Sequence, residues 1–371
     1  MKKLLSLFLS LLLVLTAAPR ITAAEVSTSA RAYALYCANN GELLLSQNPD
    51  ERLPMASTTK IMTMLITLEI AEKEDRVVEF TDEMTAEGSS MYLKPGEKVR
   101  LTDLAAGMMM QSGNDAANAA AIAISGSIKR FVERMNQKAR QLGLTNTRFV
   151  TPSGLDDEGH FSSARDLAVL MAYALENNSF RKLTSQPSVT VRFVDPPDQR
   201  VTYQNHNRLL SLYDGCIGGK TGYTMTAGRC LVTAAEREGL TLVAVTLDDR
   251  DDWDDHTALY DYGFSRYTAV NKVCCDYHVP VAGGTADEIS VKAGECCGIV
   301  IPRDALKQIK TTVLLPPFLY APVTENEIVG RIVYTLDEQK KGEVLILSEE
   351  SVSYNDRKRG LWEYLADVLV L

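Results

Sequence analysis

Pro54-Met55-Ala56-Ser57-Thr58-Thr59-Lys60-Ile61-Met62-Thr63-Met64-Leu65-Ile66-Thr67-Leu68-Glu69-Ile70 decides how this chain is read. The spacing predicts a helix over residues 57–73, with Pro54 ahead of it and Ser57 able to cap it. Apolar residues cover nearly its whole circumference, so the helix belongs in a core. Lys60 interrupts that surface, where an idle charge is expensive to bury. Residues i and i+3 share a helix face, which sets Lys60 beside Ser57. A serine hydroxyl is a weak nucleophile until a base takes its proton. Lysine normally holds its proton to about pH 10, but desolvation and neighbouring cations lower that greatly. The stretch therefore reads as a nucleophile and its base.

Two further segments supply what such a pair needs. Ser112-Gly113-Asn114 lies on a short polar loop, Gln111 to Asp115, between apolar helical stretches. Its hydroxyl can carry a proton and its amide can hold a carbonyl; alone, such a loop is more often a helix cap, and the company of the other motifs reverses that reading. Lys220-Thr221-Gly222 leads into a strand, where the glycine lets a substrate backbone approach closely. Lys220 adds positive charge, and Thr221 offers a hydroxyl to a carboxylate. For a tetrahedral oxyanion, the expected donors are the backbone N–H groups of Ser57 and Tyr223. The chain holds decoys in Ser179-Phe180-Arg181-Lys182, Ser46-Gln47-Asn48 and Ser353-Tyr354-Asn355, but only one Lys-Thr-Gly. Order and context carry the signal.

Around these segments, residues 30–45 read as a hairpin with an Asn-Asn-Gly turn. Residues 101–110, 115–125, 127–142 and 163–176 read as helices. Strands are expected at 189–193, 228–235 and 240–247, the last two joined by Glu236-Arg237-Glu238-Gly239. A helix over 253–262 closes this unit near Phe264. Beyond about Ala269 helical periods give way to short β-branched runs at 299–301, 311–315, 328–336 and 344–347, with a turn over 337–343. The expected division is a leader over 1–24, a catalytic unit over 25–268, a β-rich unit over 269–355 and a terminal helix over 356–371.

The leader has Lys2-Lys3, an apolar run from Leu4 to Leu15 and Thr22-Ala23-Ala24, the layout of a secretory signal peptide. The run is shorter than the roughly 20 residues a membrane span needs. Loss of Lys2, Lys3 and Arg20 would make the formal net charge of −9 more negative by three, a poor match to nucleic acid. The seven cysteines include the adjacent pairs Cys274-Cys275 and Cys296-Cys297, and disulfides and free thiols both fit. No pair has zinc-site spacing and histidines number four, so no metal is expected. At the end, Arg357-Lys358-Arg359 precede Leu361, Trp362, Leu365, Val368 and Leu369, which form one apolar helix face. Two uses fit it: lying on a membrane surface, or docking on its own protein.

With these residues assembled, the chain resembles the low-molecular-mass penicillin-binding proteins that act as D-alanyl-D-alanine carboxypeptidases. Ser89-Ser90-Met91-Tyr92-Leu93-Lys94-Pro95-Gly96-Glu97, Gln111 to Ala117, Gly159 to Ala168, Ile301-Pro302-Arg303 and Ile328-Val329-Gly330 extend the likeness over most of residues 28–350. The resemblance implies an α/β (α+β) transpeptidase-like catalytic domain with a helical subdomain, then a small all-β domain and a C-terminal amphipathic helix. It implies an exported enzyme, peripheral on the outer face of the cytoplasmic membrane, acting on peptidoglycan stem peptides without a cofactor. Ser57, Lys60 and Ser112 would be catalytic; Asn114, Lys220, Thr221, Gly222 and Tyr223 would bind substrate. β-Lactam antibiotics would acylate Ser57. By the same likeness Arg250 would pair with the substrate's terminal carboxylate, and His160 either lines the site or is structural. Gly215-Cys216-Ile217-Gly218-Gly219 departs from the family pattern ahead of Lys220. A class A β-lactamase would need a deacylating Glu-x-x-Leu-Asn-like loop between Ser112 and Lys220, and none is present. A β-lactam sensor without turnover is the remaining rival.

Overall fold

A computed structural model describes residues 26–270, 277–294 and 298–355. The leader, both adjacent cysteine pairs and the terminal amphipathic segment lie outside the described residues. The hairpin forms between Ala32–Cys37 and Glu42–Gln47. It joins strands from two hundred residues away in an antiparallel sheet ordered Glu42–Gln47, Ala32–Cys37, Leu240–Asp249, Gly228–Arg237, Cys216–Thr224. The three inner strands are almost entirely buried, because helices cover both faces. On one face Leu35, Leu231, Leu242 and Ala244 meet Leu259, Tyr260 and Phe264 of the helix Asp252–Arg266. On the other, Ala34, Val232, Val243 and Val245 share a core with Lys60–Ala71 and Ala164–Ala174. The helices Leu101–Met110, Asn114–Ser125 and Ile128–Gln141 pack around Lys60–Ala71 to complete the helical part.

The strand Cys216–Thr224 is an edge of the sheet, and it carries Lys220-Thr221-Gly222. Its free side faces the start of the nucleophile helix. That start departs from the sequence expectation: Ala56–Thr59 is a 3₁₀ turn, and the α-helix begins only at Lys60. The hydroxyls of Thr58 and Thr59 donate to the carbonyls of Met55 (2.6 Å) and Ala56 (2.8 Å). Such local bonds favour the tighter turn. The short helix Asn178–Thr184 and the strand Arg200–Gln204 were not anticipated; the latter pairs with Ser188–Arg192.

After Tyr267–Ala269, which pairs with Val300–Pro302, the chain builds a six-stranded sheet with its own core of Val279, Ile289, Val291, Ile332, Tyr334 and Ile346. The Arg303 guanidinium ties this part to the first, donating to the Phe264 carbonyl at 2.8 Å and pairing with Glu238. The turn expected over 337–343 is shorter: Ile328–Leu336 and Gln339–Ser348 leave only Asp337 and Glu338 between them, both at positive φ. Two such residues form the connection whose twist matches a hairpin. Strands Tyr277–Ala282 and Glu288–Ala293, also unanticipated, complete the sheet with short pieces at its edges. No helix among the described residues is long and apolar enough to cross a membrane.

Candidate active site

Lys60 is wholly buried, and its amine has three partners: Ser57 Oγ at 2.9 Å, Asn114 Oδ1 at 2.7 Å and the Ser153 carbonyl at 2.6 Å. Asn114 is fixed in that orientation because its Nδ2 donates to the Glu87 carbonyl at 2.7 Å. Two of the three partners can therefore only accept. A neutral amine has two hydrogens and one lone pair. Spending both hydrogens on the two carbonyl oxygens aims the lone pair at the Ser57 hydroxyl. Burial, and secondarily the Lys220 charge, hold the Lys60 ammonium well below its ordinary pKa, while Asp115 opposes them. The geometry and the charge balance both favour a base.

Lys220 sits across the cleft, 2% exposed, donating to Ser112 Oγ at 3.0 Å and to the Thr221 carbonyl at 2.8 Å. Burial lowers its pKa to about 7. The sequence left open how the glycine-rich segment before it is supported; Thr184 does this, its hydroxyl accepting from Gly219 N–H at 2.8 Å. A Cβ at Gly219 would stand 2.4 Å from the Val232 carbonyl, so the glycine permits the close strand pairing that seats Lys220.

Backbone strain marks both hydroxyl-bearing loops. Ala56, directly before the nucleophile, has φ +46°, and Ser112 has φ +55°. Left-handed non-glycine residues cost about 1–3 kcal/mol each and gather at functional sites. The surroundings hold them in place. His160 Nδ1 accepts from Val150 N–H at 2.9 Å, which leaves Nε2–H to donate to Thr59 Oγ1 at 2.8 Å, within the nucleophile turn. Burial lowers this imidazole to a pKa of about 4. His160 is thus a neutral brace beneath the turn, the structural side of the two readings.

A cleft of about 460 Å³ is lined by Ser57, Ser89, Ser112, His206, Thr221, Gly222, Tyr223, Arg229, Asp252 and Trp253. Gly222 lies so close to the nucleophile turn that a Cβ there would sit 3.0 Å from the Ser57 nitrogen. Arg250 is absent from this lining. It is exposed just past the strand Leu240–Asp249, where its N–H donates to Ser29 Oγ at 3.1 Å. The guanidinium at the cleft is that of Arg229, which faces Tyr223 across the sheet. Arg250, expected at the substrate carboxylate, therefore does not line this cleft, and Arg229 does. Arg229 was legible only by counting register back through the turn after Tyr223. Asp115 was also missed: 3% exposed, it straps residues 90–93 beside the cleft through three hydrogen bonds and accepts a fourth from its own neighbour Ala116. The Ser153 carbonyl, being backbone, left no trace in the sequence. No group of residues able to hold a metal occurs among the described residues.

An antiparallel sheet with helices on both faces, and a serine–lysine pair at its edge facing a second such pair, define a serine-dependent acyl-transfer enzyme. The chain belongs to the D-alanyl-D-alanine carboxypeptidase family of S11 peptidases, whose sequence profile matches residues 19–251. Residues 268–354 match the C-terminal domain of penicillin-binding protein 5. The chain is 32% identical to D-alanyl-D-alanine carboxypeptidase DacF of Bacillus subtilis over 98% of its own length and 97% of that protein's. It is 34% identical to DacC of Escherichia coli over 91% and 88% of the two chains. The crystal structure of penicillin-binding protein 5 from Haemophilus influenzae superposes with a TM-score of 0.66 at 28% identity, covering 88% of this chain and 98% of that one.

Proposed function

We propose that this protein is a serine-type D-alanyl-D-alanine carboxypeptidase that removes the terminal D-alanine from peptidoglycan stem peptides. The observation that carries this reading is the placement of the buried Lys60 amine between Ser57 Oγ and two carbonyl acceptors, which turns the lone pair of the neutral amine toward Ser57. Lys60 takes the Ser57 proton as Oγ attacks the D-Ala-D-Ala amide carbon. The developing oxyanion receives the N–H of Ser57 and of Tyr223, which the close approach of Gly222 to the nucleophile turn brings near each other. Proton transfer through Ser112, backed by Lys220, protonates the leaving amine, and D-alanine departs. Water, deprotonated in turn, hydrolyses the ester and restores Ser57. Thr221 and Gly222 align the peptide against the edge strand, while Asn114, expected to bind substrate, holds the Lys60 amine.

Penicillins present a strained amide with a nearby carboxylate and acylate the same serine. The leader over 1–24 supports export, and the basic collar and apolar face over 356–371 support peripheral attachment to the outer face of the cytoplasmic membrane. The test is intact-mass measurement after benzylpenicillin, with peptide mapping, alongside D-alanine release from a diacyl-L-Lys-D-Ala-D-Ala peptide. One adduct on Ser57, and loss of both activities in Ser57→Ala, are expected. D-alanine release undiminished in that variant overturns the assignment.

A further inference from the structure

We propose that Arg229, held by Asp252, is the receptor for the free C-terminal carboxylate of the acyl-donor peptide, the place that family likeness would give to Arg250. The inference rests on the carboxypeptidase reading and concerns how the substrate end is recognised.

Strand register puts the groups in position. Tyr223 pairs with Arg229 and Thr221 with Leu231, so these four share one face of the sheet; Lys220, paired with Val232, lies on the other. Leu231 packs with Leu259 and Tyr260, which identifies the first face as that of the helix Asp252–Arg266. Thr221 and Arg229 are diagonal neighbours on it, a relation that spans about 7–8 Å between their backbones. A carboxylate can bridge a hydroxyl and a long guanidinium at that spacing. A peptide laid along the edge strand then has its reacting carbonyl beside Ser57 and its terminal carboxylate beyond the edge, where Thr221, Arg229, Asp252 and Trp253 line the same cleft.

The Arg229 side chain is aimed and has donors to spare. Nε donates to Asp252 Oδ2 at 3.1 Å and Nη2 to Asp252 Oδ1 at 2.6 Å, with the Asp252 side chain 5% exposed and that of Arg229 45% exposed. This fork contact uses two of five N–H groups and leaves three for a ligand. Lys220 is unsuited to the task, because its amine is buried against Ser112 and the Thr221 carbonyl. Arg250 is exposed and is not among the residues that line the cleft.

Full-length protein is assayed with diacetyl-L-Lys-D-Ala-D-Ala and with its C-terminal carboxamide, and in parallel with benzylpenicillin and its methyl ester. Wild type is expected to favour the acid of each pair. Arg229→Gln should lower kcat/KM for the acid peptide at least tenfold, mainly through KM, and change the carboxamide less than threefold. Asp252→Asn, a positioning change, should raise KM for the acid peptide with kcat retained. Arg250→Gln should leave the acid preference unchanged. The proposal is overturned if Arg229→Gln keeps the wild-type preference, if it damages both donors equally, or if Arg250→Gln abolishes the preference. An acid preference in Ser57 acylation without D-alanine release would sink the carboxypeptidase reading and leave this one standing.

Discussion

Replacing Asp115 with asparagine tests whether the cleft wall is held by one buried carboxylate. Oδ1 accepts from the N–H of Met91 at 2.9 Å and of Ala116 at 2.8 Å; Oδ2 accepts from Ser90 Oγ at 2.6 Å and Leu93 N–H at 3.2 Å. An amide keeps one oxygen and turns an NH₂ toward the other pair of donors. In its better orientation the NH₂ faces Ser90, whose hydroxyl can reverse, and Leu93, whose buried N–H cannot. One charge-assisted bond is lost and one N–H is stranded, a cost of about 2–4 kcal/mol. For a domain of this size that corresponds to about 5–15 °C in melting temperature.

The strap that Asp115 holds also reaches the chemistry. The Ser89 carbonyl accepts from Asn114 N–H at 2.7 Å, and the Glu87 carbonyl accepts from the side chain that positions Lys60. Acylation by a fluorescent penicillin should therefore slow about tenfold, an amount equal to roughly 1.4 kcal/mol. The pH profile separates this from general damage. The Asp115 charge favours the Lys60 ammonium, so its removal should move the acidic limb of acylation to lower pH. Thermal melting and stopped-flow acylation from pH 5 to 9 measure both effects. A melting temperature within 1 °C of wild type (set against roughly 5 °C at least), together with an unmoved limb, would refute the reasoning.

Lys220→Gln should shift the acidic limb of Ser57 acylation upward, because the Lys220 charge helps hold Lys60 deprotonated; a limb that stays or falls means the two amines are uncoupled. His256 is wholly buried between Thr233 Oγ1 (2.7 Å) and Thr246 Oγ1 (3.2 Å), and burial lowers its pKa from 6.5 to about 3. The unfolded chain takes up this proton well before the folded one does. Stability should accordingly fall as pH drops from about 6.5 toward 3, by at most about 1.4 kcal/mol per pH unit from this site. In His256→Gln, urea unfolding at pH 5 and pH 7 should differ less than in wild type, and an equal difference would exclude His256 as a source of the slope.

Much of the site was legible because its chemistry is local. Ser57 and Lys60 are one turn apart, and a lysine inside an apolar helix announces its cost whatever surrounds it. The same holds for the helices 101–110 and 163–176, whose periodicity records the face they bury. Where the outcome depended on hydroxyl bonding or on a two-residue turn, local reading overshot: Ser57 sits in a 3₁₀ turn ahead of the α-helix, and the hairpin at Asp337-Glu338 is tighter than its polar run suggested.

The residue types and their order therefore determined, without coordinates, that a nucleophile, a base, a relay and a cationic strand exist in this chain, and that a helical part precedes a β-rich one. Tertiary structure alone decided which groups complete them. The Ser153 carbonyl, on a loop 93 residues beyond Lys60, and Asn114, opening a helix 54 residues beyond it, convert the amine from a buried liability into an aimed base. Likewise, pairing across the sheet, not position along the chain, brought Arg229 to the cleft and left Arg250 in solvent. Period and composition encode burial, which each residue meets with its near neighbours. The direction of a lone pair or a guanidinium depends on partners supplied by distant strands and loops, and on a register in which one residue's slip would turn the side chain to the opposite face.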